Sequence, residues 1–375
     1  MGCENAGSRS CRWPVNDLDE ILASALRNGA TSVHLFEGEA PAARVRGELR
    51  PLAFPPVSRR QTTVWLPILA GSDAWSEAER TGSGRTSPYP GPSRVLFRGR
   101  LCVAKEALGI VLSPLLPPPS IDPRLLPPSL RHLADLRGLV LLSGPIASGK
   151  TTLLAGLIAW MGSIRRWRIL TFAEGPAPFA YPLAPSWISP WEIPWDFPSM
   201  AEALGSTLAQ DADMVAIDPL RGAAAIEAAL DLAESGKLVL ATYEAEGSAA
   251  AVANWIGLLD QNDRRGDRER LATTLRLTVS LTLLQRLDRE GSVVVYESIP
   301  GHPAVAAAIR SGELASLAEF VQVGPEGGKR LDDALLDLCQ TGVVGVEEAF
   351  GHAREKERFL LRLDGALPDN SDSGN

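Results

Sequence analysis

Residues 138–157 read GLVLLSGPIASGKTTLLAGL, and this stretch decides the fold of the chain. Residues 139–142 are fully apolar, which is typical of a strand that is buried on both faces of a parallel sheet. Residues 144–151 then fit the pattern G-x-x-x-x-G-K-[ST]. An alanine- and leucine-rich segment at 153–161 predicts a helix. Strand, glycine-rich loop and helix therefore occur in the order that a P-loop requires.

The residue types of this loop suit a nucleoside triphosphate. The glycines allow the backbone to curl so that its N–H groups face phosphate oxygens, and the helix that begins near Lys150 adds its positive end. The Lys150 ammonium is expected to reach the β- and γ-phosphates of ATP, and the Thr151 hydroxyl to bind Mg²⁺. The flanking strand and helix disfavour a chance match. The predicted nucleotide-binding residues are Gly144, Pro145, Ile146, Ala147, Ser148, Gly149, Lys150, Thr151 and Thr152.

The composition indicates a globular chain of about two domains. It has 375 residues, of which 45% are hydrophobic and 22% are charged, so the chain can bury a core. The net charge of −8 gives no electrostatic reason to expect nucleic acid or an anionic membrane as a partner. The four cysteines form no C-x-x-C pair, which indicates free thiols in a reducing compartment and no zinc site.

The sequence contains no candidate membrane span or secretion signal. No run reaches about 18 consecutive apolar residues, and the uncharged residues 107–121 are broken by four prolines. The N-terminal residues contain no apolar signal core. We therefore expect a cytoplasmic protein without direct membrane insertion, which meets a membrane only through partners.

The N-terminal part of the sequence indicates a small α/β module at 16–113, after a loose tail at 1–15. Apolar residues recur at helical spacing from Asp17 and predict a helix there. Alternating patterns predict strands at 32–36, 42–46, 49–52, 94–104 and 108–112.

Two stretches of this part lack regular periodicity. Residues 55–92 are weakly patterned, and within them 82–92 are rich in Gly, Ser and Pro and are interpreted as a loop. Residues 114–128 carry many prolines and are predicted to be a linker that acts as a hinge between two domains.

The second predicted domain covers residues 129–365 and is followed by a disordered tail at 366–375. Strands are predicted at 168–172, 214–217, 237–242 and 292–296. Helices are predicted at 223–235, 248–259, 268–279, 304–310, 331–340 and 347–363. Strands that alternate with helices indicate a parallel α/β domain with a helical C-terminal part.

Residues 176–198 are dense in proline and tryptophan and are predicted to be a loop. The tryptophans recur every four residues, at Trp187, Trp191 and Trp195. Pro190 and Pro194 forbid a helix there. Two interpretations stay open: an aromatic docking loop, or a stiff loop whose indoles pack on the domain. The second is favoured.

Several stretches, in the same order, carry a family resemblance. Residues 17–52 resemble an opening helix and strands with the pattern S-D-L-H-L…R-x-x-G-x-L. Residues 170–179, LTFAEGPAPF, resemble the acidic box I-L-T-I-E-D-P-I-E-F. Residues 211–240 resemble D-P-D-V-I-L-V-G-E-M-R-D and the helix after it, and 331–350 resemble closing helices with the pattern M-D-Q-A-L. Together with the loop at 144–151, these stretches resemble the type II secretion and type IV pilus ATPases, most of all the PilT-like retraction motors.

This resemblance implies a fold and a way of working. The implied fold class is α/β, with a PAS-like N-terminal domain and a RecA-like P-loop ATPase domain that has a helical C-terminal part. The resemblance also implies a hexameric ring of identical or paralogous subunits with ATP at the interfaces. Such a ring works against an inner-membrane pilus platform protein, which would place this chain peripherally at that membrane.

The chain departs from the family at the residue that prepares the attacking water. The Walker B glutamate of the family aligns with Pro219, which cannot accept a proton. Asp218 ends a predicted strand where many other P-loop ATPases have a Walker B aspartate, so it is a candidate Mg²⁺ ligand beside Thr151; the alternative is a turn residue before proline. The acidic box retains Glu174, although its next acid aligns with Gly175. Glu174 and Asp218 are therefore the candidate catalytic carboxylates.

Other charged residues of the family are also replaced. The histidine of the family motif T-L-H-T aligns with Glu244, which brings negative charge toward the phosphates. Family arginines align with the region of Trp191 and with Gly205, Ala209 and Ala306. An arginine that stabilises the transition state contributes ~10³ or more in rate. ATP binding therefore follows from the intact loop, whereas hydrolysis does not.

Three functions remain after these departures. The first is a divergent pilus motor subunit for retraction or twitching motility, which binds Mg·ATP and hydrolyses it slowly through Glu174 or Asp218. The second is a pseudo-ATPase, a nucleotide-binding structural or regulatory subunit in a ring of active paralogues. The third, an assembly-type secretion ATPase, is disfavoured because those usually carry an extra N-terminal domain, for which no room exists before Asp17.

Overall fold

The computed structural model describes residues 17–45, 47–86, 88–104, 107–177, 179–181, 184–260, 266–323 and 330–363. The tails predicted at 1–15 and 366–375 lie outside these residues. The chain divides into two units, Met1–Pro117 with Pro178–Ala180, and Pro118–Ala177 with Tyr181–Asn375. The predicted linker at 114–128 spans this division, and its role as a hinge stays a prediction.

The first unit is an antiparallel sheet with helices α1 and α2. Helix α1, Asp17–Arg27, carries acidic residues in its first turn, where they favour the positive end of the helix. The other elements are β1 Ser32–Phe36, β2 Ala42–Val45, β3 Glu48–Pro51, α2 Arg59–Thr81, β4 Ser83–Arg85, β5 Tyr89–Pro90, β6 Leu96–Ala104 and β7 Ala107–Leu115. The strand order is β3-β2-β1-β7-β6-β4, and β5 pairs with β6.

Helix α2 corrects the interpretation of residues 55–92. Its N-terminus has a capping box, because the Ser58 side chain accepts a hydrogen bond from the Gln61 N–H and Gln61 Oε1 accepts one from the Ser58 N–H at 2.8 Å. Trp65 is buried in the core of the unit. The loop predicted at 82–92 is also wrong in part, because β4 and β5 lie there. The S-x-x-Q pattern at the start of α2 is the sequence signal for this helix.

The second unit is built on one mixed sheet with helices on both faces. Its elements are α3 Pro128–Arg131, β8 Gly138–Gly144, α4 Lys150–Ile164, β9 Arg168–Glu174, β10 Trp187–Ile193, α5 Met200–Thr207, β11 Met214–Asp218, α6 Ala223–Glu234, β12 Leu238–Glu244, α7 Ser248–Asp260, α8 Asp267–Thr274, β13 Leu275–Gln285, β14 Ser292–Pro300, α9 Pro303–Ser311, β15 Gln322–Val323, α10 Leu331–Gln340, α11 Val346–His352 and α12 Lys356–Leu363. The strand order is β10-β9-β11-β12-β8-β13-β14-β15. Pairs from β10 to β13 are parallel, and β14 and β15 are antiparallel additions.

Strand β8 lies in the middle of this sheet and is buried along its whole length. Leu139 and Leu141 pack in a core with residues of α6 and α7, whereas Val140 and Leu142 pack on the other face with residues of α4. Burial on both faces explains why residues 139–142 are uniformly apolar. The prediction of a parallel α/β fold is confirmed.

The helix predicted at 268–279 is wrong in its second half. Helix α8 ends at Thr274, and β13 begins at Leu275 beside β8. Leu277, Val279 and Leu281 point to one face and are buried there, so period-two alternation decides the conformation. The helix predicted at 347–363 is likewise divided, because Ala353 is extended and separates α11 from α12.

The loop predicted at 176–198 contains strand β10, which corrects that interpretation for residues 187–193. Strand β10 lies at the edge of the sheet, where Pro190 is tolerated because an edge strand can spare an N–H group. The Trp191 ring packs edge-on against Phe197, with ring centroids 5.5 Å apart, whereas Trp187 is 73% exposed. The Trp191 indole therefore packs on the domain, whereas the Trp187 indole is largely exposed and has the Arg168 guanidinium over its ring.

The described helices include none that is both long enough and apolar enough to cross a bilayer.

Candidate nucleotide-binding site

The predicted site residues lie at the carboxyl ends of parallel strands in the second sheet. Strands β9, β11, β12 and β8 are parallel neighbours, so their carboxyl ends lie side by side and present Glu174, Asp218, Glu244 and Gly144. Glu244 is directly opposite Gly144 in the pairing of β12 with β8. In open α/β sheets, ligands bind outside the carboxyl ends of the strands. The structure thus brings together residues that are 100 positions apart in the chain.

The backbone of the loop at 144–151, here called the P-loop, has the curled conformation that its glycines permit. Gly144 and Gly149 have φ angles of 148° and 94°. A Cβ atom on Gly144 would lie 2.4 Å from Ser148 Oγ and 2.7 Å from the Leu281 carbonyl oxygen, so only glycine fits there. Helix α4 begins at Lys150, directly after Gly149, and its first N–H groups have no partner within the helix. The site thus has the backbone donors and the helix end that bind anions.

The side chains of the P-loop differ in exposure. Ile146 is 80% exposed, Ala147 and Thr152 are exposed, and Thr151 is half-buried. Ser148 is buried, and its Oγ has no hydrogen-bond partner among the described residues. A buried hydroxyl group normally has a partner. Ser148 is therefore suited to bind an acceptor at the loop.

The Lys150 side chain is buried under the P-loop. Its Nζ donates hydrogen bonds to the carbonyl oxygens of Gly144, at 2.9 Å, and Pro145, at 2.6 Å. Burial lowers the pKa of this ammonium below its usual range, the charges of Glu244 and Asp218 raise that pKa, and the charge of Arg221 lowers it. These three charged groups therefore act on the same ammonium.

Asp218 is held at the end of β11 by a neighbouring strand. Thr242 Oγ1, in β12, donates a hydrogen bond of 2.5 Å to Asp218 Oδ1. The negative charge of Asp218 also helps to raise the pKa of Tyr181, although burial of that phenol contributes most. Pro219 follows directly, and its ring offers no acceptor to an attacking water. Asp218 thus places a carboxylate, fixed by Thr242, at the carboxyl end of β11.

Arg221 joins Glu174 and Glu244, and it is not among the site residues predicted from the sequence. Arg221 Nη2 lies 2.6 Å from Glu244 Oε1, and Nη1 lies 3.5 Å from Glu174 Oε2. This set of three residues is here called the Glu–Arg–Glu bridge. The sequence contains a pattern that could have identified this residue, because Arg221 aligns with the arginine of the family pattern G-E-M-R-D.

Thr151 and Asp218 suit Mg²⁺ by their chemistry. Both offer the oxygen ligands that this ion prefers, and Mg²⁺ typically binds one or two protein groups together with substrate phosphates and water. Among the described residues, no cluster of three or more His, Cys, Asp or Glu side chains forms a protein-only metal site. The residues therefore fit an ion that arrives with a nucleotide.

Comparison with known proteins agrees with this fold. Residues 120–297 match the family described as "Type II/IV secretion system protein". The chain is 27% identical to the type IV pilus retraction ATPase PilT of Pseudomonas aeruginosa over 350 residues, which cover 92% of this chain and 100% of the relative. It is 31% identical to a twitching motility protein of Neisseria gonorrhoeae over 222 residues, or 59% of each chain.

A solved structure shows the same architecture. The crystal structure of the pilus retraction motor PilT with bound ADP has a TM-score of 0.78 and 24% identity, over 91% of this chain and 98% of that chain. The fold is therefore that of a RecA-like P-loop ATPase domain preceded by a smaller α/β domain, as predicted. The chain is therefore similar in sequence and fold to the type II/IV secretion ATPases, and the similar proteins include pilus motor ATPases. The family resemblance of the sequence is confirmed.

Proposed function

We propose that this chain binds Mg·ATP at the P-loop and acts as a motor-type subunit with impaired hydrolysis in a type IV pilus or secretion complex. The observation that carries the proposal is the P-loop, where curled glycines, the start of α4 and buried Lys150 converge. The residues that bind the nucleotide are those predicted at 144–152. Thr151 and Asp218 hold Mg²⁺, which neutralises phosphate charge when it is bound.

Impaired hydrolysis is supported by the groups around the P-loop. Pro219 stands where the family has the glutamate that prepares water. Asp218, one of the two candidate carboxylates, accepts a hydrogen bond from Thr242. A carboxylate oxygen that already accepts a hydrogen bond is less available to take a proton from water. Slow turnover through Glu174 or Asp218 is the expected activity.

Assembly and partners come to the proposal from the relatives. The named relatives are a pilus retraction ATPase and a twitching motility protein. By analogy, this chain joins a hexameric ring of identical or paralogous subunits, in the cytoplasm and against an inner-membrane platform protein. The same proposal includes an N-terminal domain at 16–113, a linker at 114–128 and an ATPase domain at 129–365.

A second function, that of a pseudo-ATPase, is favoured by one specific observation. Proline at position 219 removes the side chain that the family uses for water activation, while the P-loop itself is intact. A subunit of this kind binds ATP, does not turn it over, and adds a structural or regulatory element to a ring of active paralogues.

Two assays on the purified full chain test the proposal. The first is binding of a fluorescent ATP analogue, and the second is steady-state phosphate release with Mg·ATP. Lys150→Ala should abolish both. Arg310→Ala, which breaks an exposed arginine–glutamate pair between α9 and α8, is the matched control and should change neither. Binding with slow turnover supports the motor subunit, and binding without turnover supports the pseudo-ATPase. Failure to bind any nucleotide contradicts both functions.

A further inference from the structure

We propose that Arg221 distinguishes a nucleoside triphosphate from a diphosphate at this site, by leaving the Glu–Arg–Glu bridge to contact the γ-phosphate. The inference rests on the proposed nucleotide binding and adds a specificity residue to it. The part of the chain that binds the other phosphates, the P-loop, is a separate structural element. The two claims can therefore be tested separately.

The position of Arg221 follows from the order of the strands. It lies three residues beyond the end of β11 and reaches Glu174, at the end of β9, on one side and Glu244, at the end of β12, on the other. Glu244 is opposite Gly144 in the next strand, and neighbouring strands lie about 4.8 Å apart. Arg221 therefore contacts the side chain of the residue that is the strand partner of the first residue of the P-loop.

The electrostatics of Lys150 support this position independently. Lys150 is the residue that reaches the β- and γ-phosphates in a P-loop. The charges of Glu244, Asp218 and Arg221 all act on its pKa, after the larger effect of burial. A group that acts on this ammonium also acts on a γ-phosphate bound to it. Glu244 and Asp218 would repel that phosphate, so the positive charge of Arg221, which is paired with Glu244, decides whether the phosphate is accepted.

The contacts of Arg221 are weak enough to be exchanged. Its side chain is 53% exposed, and those of Glu244 and Glu174 are 40% and 39% exposed. Exposed ion pairs contribute little to stability, because water screens them. An arginine–phosphate contact is charge-assisted and can be bidentate, which makes it stronger. A γ-phosphate can therefore take Arg221 from the carboxylates, whereas a diphosphate does not reach it.

The experiment measures the ratio of two affinities, for Mg·ADP and for the Mg²⁺ complex of the non-hydrolysable analogue β,γ-imido-ATP, by calorimetric titration of the full chain. Arg221→Ala should weaken binding of the analogue about tenfold or more and that of ADP less than about twofold. Glu244→Gln should strengthen binding of the analogue several-fold, because it removes a competitor for Arg221 and a negative charge. No turnover is needed for this readout.

Matched variants make the result specific. The Arg310–Glu269 pair has a contact of 2.5 Å and exposures of 45% and 54%, so it resembles the Arg221–Glu244 pair but lies on α9 and α8. Arg310→Ala and Glu269→Gln should leave the affinity ratio unchanged. The thermal unfolding midpoint of Arg221→Ala should match that of Arg310→Ala, which shows that the fold is retained.

Three results would each overturn a claim. If Lys150→Ala abolishes binding of both nucleotides while Arg221→Ala leaves the ratio unchanged, the proposed function holds and the inference is wrong. If Arg221→Ala weakens both nucleotides equally, Arg221 is a general phosphate contact and does not discriminate. If the unsubstituted chain binds neither nucleotide, the proposed function fails and the inference fails with it.

Discussion

Gly144 is the residue at which the backbone of the P-loop leaves no room for a side chain. The obstacles are the Ser148 hydroxyl and a carbonyl oxygen of β13, so the restriction comes from the P-loop itself and from a strand that is distant in sequence. Gly149 also has a positive φ angle, but a Cβ atom there would meet nothing within 4 Å. At this scale, two glycines of one motif are thus constrained for different physical reasons.

These two glycines allow a direct test. Gly144→Ala should lower the free energy of unfolding by more than about 2 kcal/mol, because backbone strain is added to a steric clash. Gly149→Ala should cost about 1 kcal/mol, because only the backbone conformation is unfavourable. Urea denaturation of both variants measures the difference. Equal losses would contradict the role of the Ser148 and Leu281 contacts.

Asp218 and Glu174 are the two candidate carboxylates, and the structure separates them. The negative charge of Asp218 raises the pKa of Lys150, whereas Glu174 is not among the groups that change that pKa. Glu174 ends β9, which is one strand farther from the P-loop than β11. Asp218→Asn should raise the Mg²⁺ concentration for half-maximal binding of β,γ-imido-ATP about tenfold, because it removes an anionic oxygen near the ion. Glu174→Gln should change that concentration less than about twofold, and a reversed order would reassign the ligand.

At the scale of elements, one buried ion pair joins the C-terminal helices to the sheet. Glu297 of β14 is almost fully buried, and its Oε2 lies 2.6 Å from Nη2 of Arg354, which lies between α11 and α12. Burial raises the pKa of Glu297 above its ordinary value of 4.5, and Arg354 opposes that rise. The C-terminal helices also bury Leu335 and Phe359 against β13 and β14. The pair thus adds a charge contact to an apolar interface.

This pair predicts a pH-dependent stability. A carboxyl group with a raised pKa in the folded state stabilises the fold fully below pH 4.5, and that contribution is lost as the pH rises through the folded pKa. Arg354→Ala removes the partner that opposes the rise, so the loss should be about 2 kcal/mol at pH 7 and smaller at pH 5. Denaturant titration at both pH values measures it.

Glu297→Gln supplies the control for this prediction. In that background the buried charge of the pair is gone, so Arg354→Ala should cost the same at pH 5 and pH 7. A pH-dependent loss that persists in the Glu297→Gln background would assign the effect to another group.

At the scale of the whole molecule, the similarity to pilus motor ATPases leads to an expectation about assembly. In the proposed function, six chains of 40.0 kDa form a ring when nucleotide is bound. Light scattering during size-exclusion chromatography should therefore show a larger particle with Mg²⁺ and β,γ-imido-ATP than without nucleotide. Lys150→Ala should remain at the lower mass. A monomer under every condition, alone and with a paralogous subunit, would contradict the ring.

The sequence predicted this molecule best where one local pattern suffices. The P-loop, β8 and α4 follow from an apolar run, two glycines and a helix former, and each signal lies within 20 residues. Helix α2 was also encoded locally, in the capping box of Ser58 and Gln61, although the weak periodicity of the region hid it.

Tertiary structure decided the rest, because it depends on which strands become neighbours. Residues 275–279 continue a helical pattern in sequence, yet they form β13 because a place beside β8 buries them as a strand. Likewise, the sequence does not show which acidic residues Arg221 contacts. Glu174 and Glu244 come within its reach only because β9, β11 and β12 are neighbouring strands with aligned ends. The sequence alone therefore determined the P-loop, and the order of the parallel strands determined which charged side chains surround it.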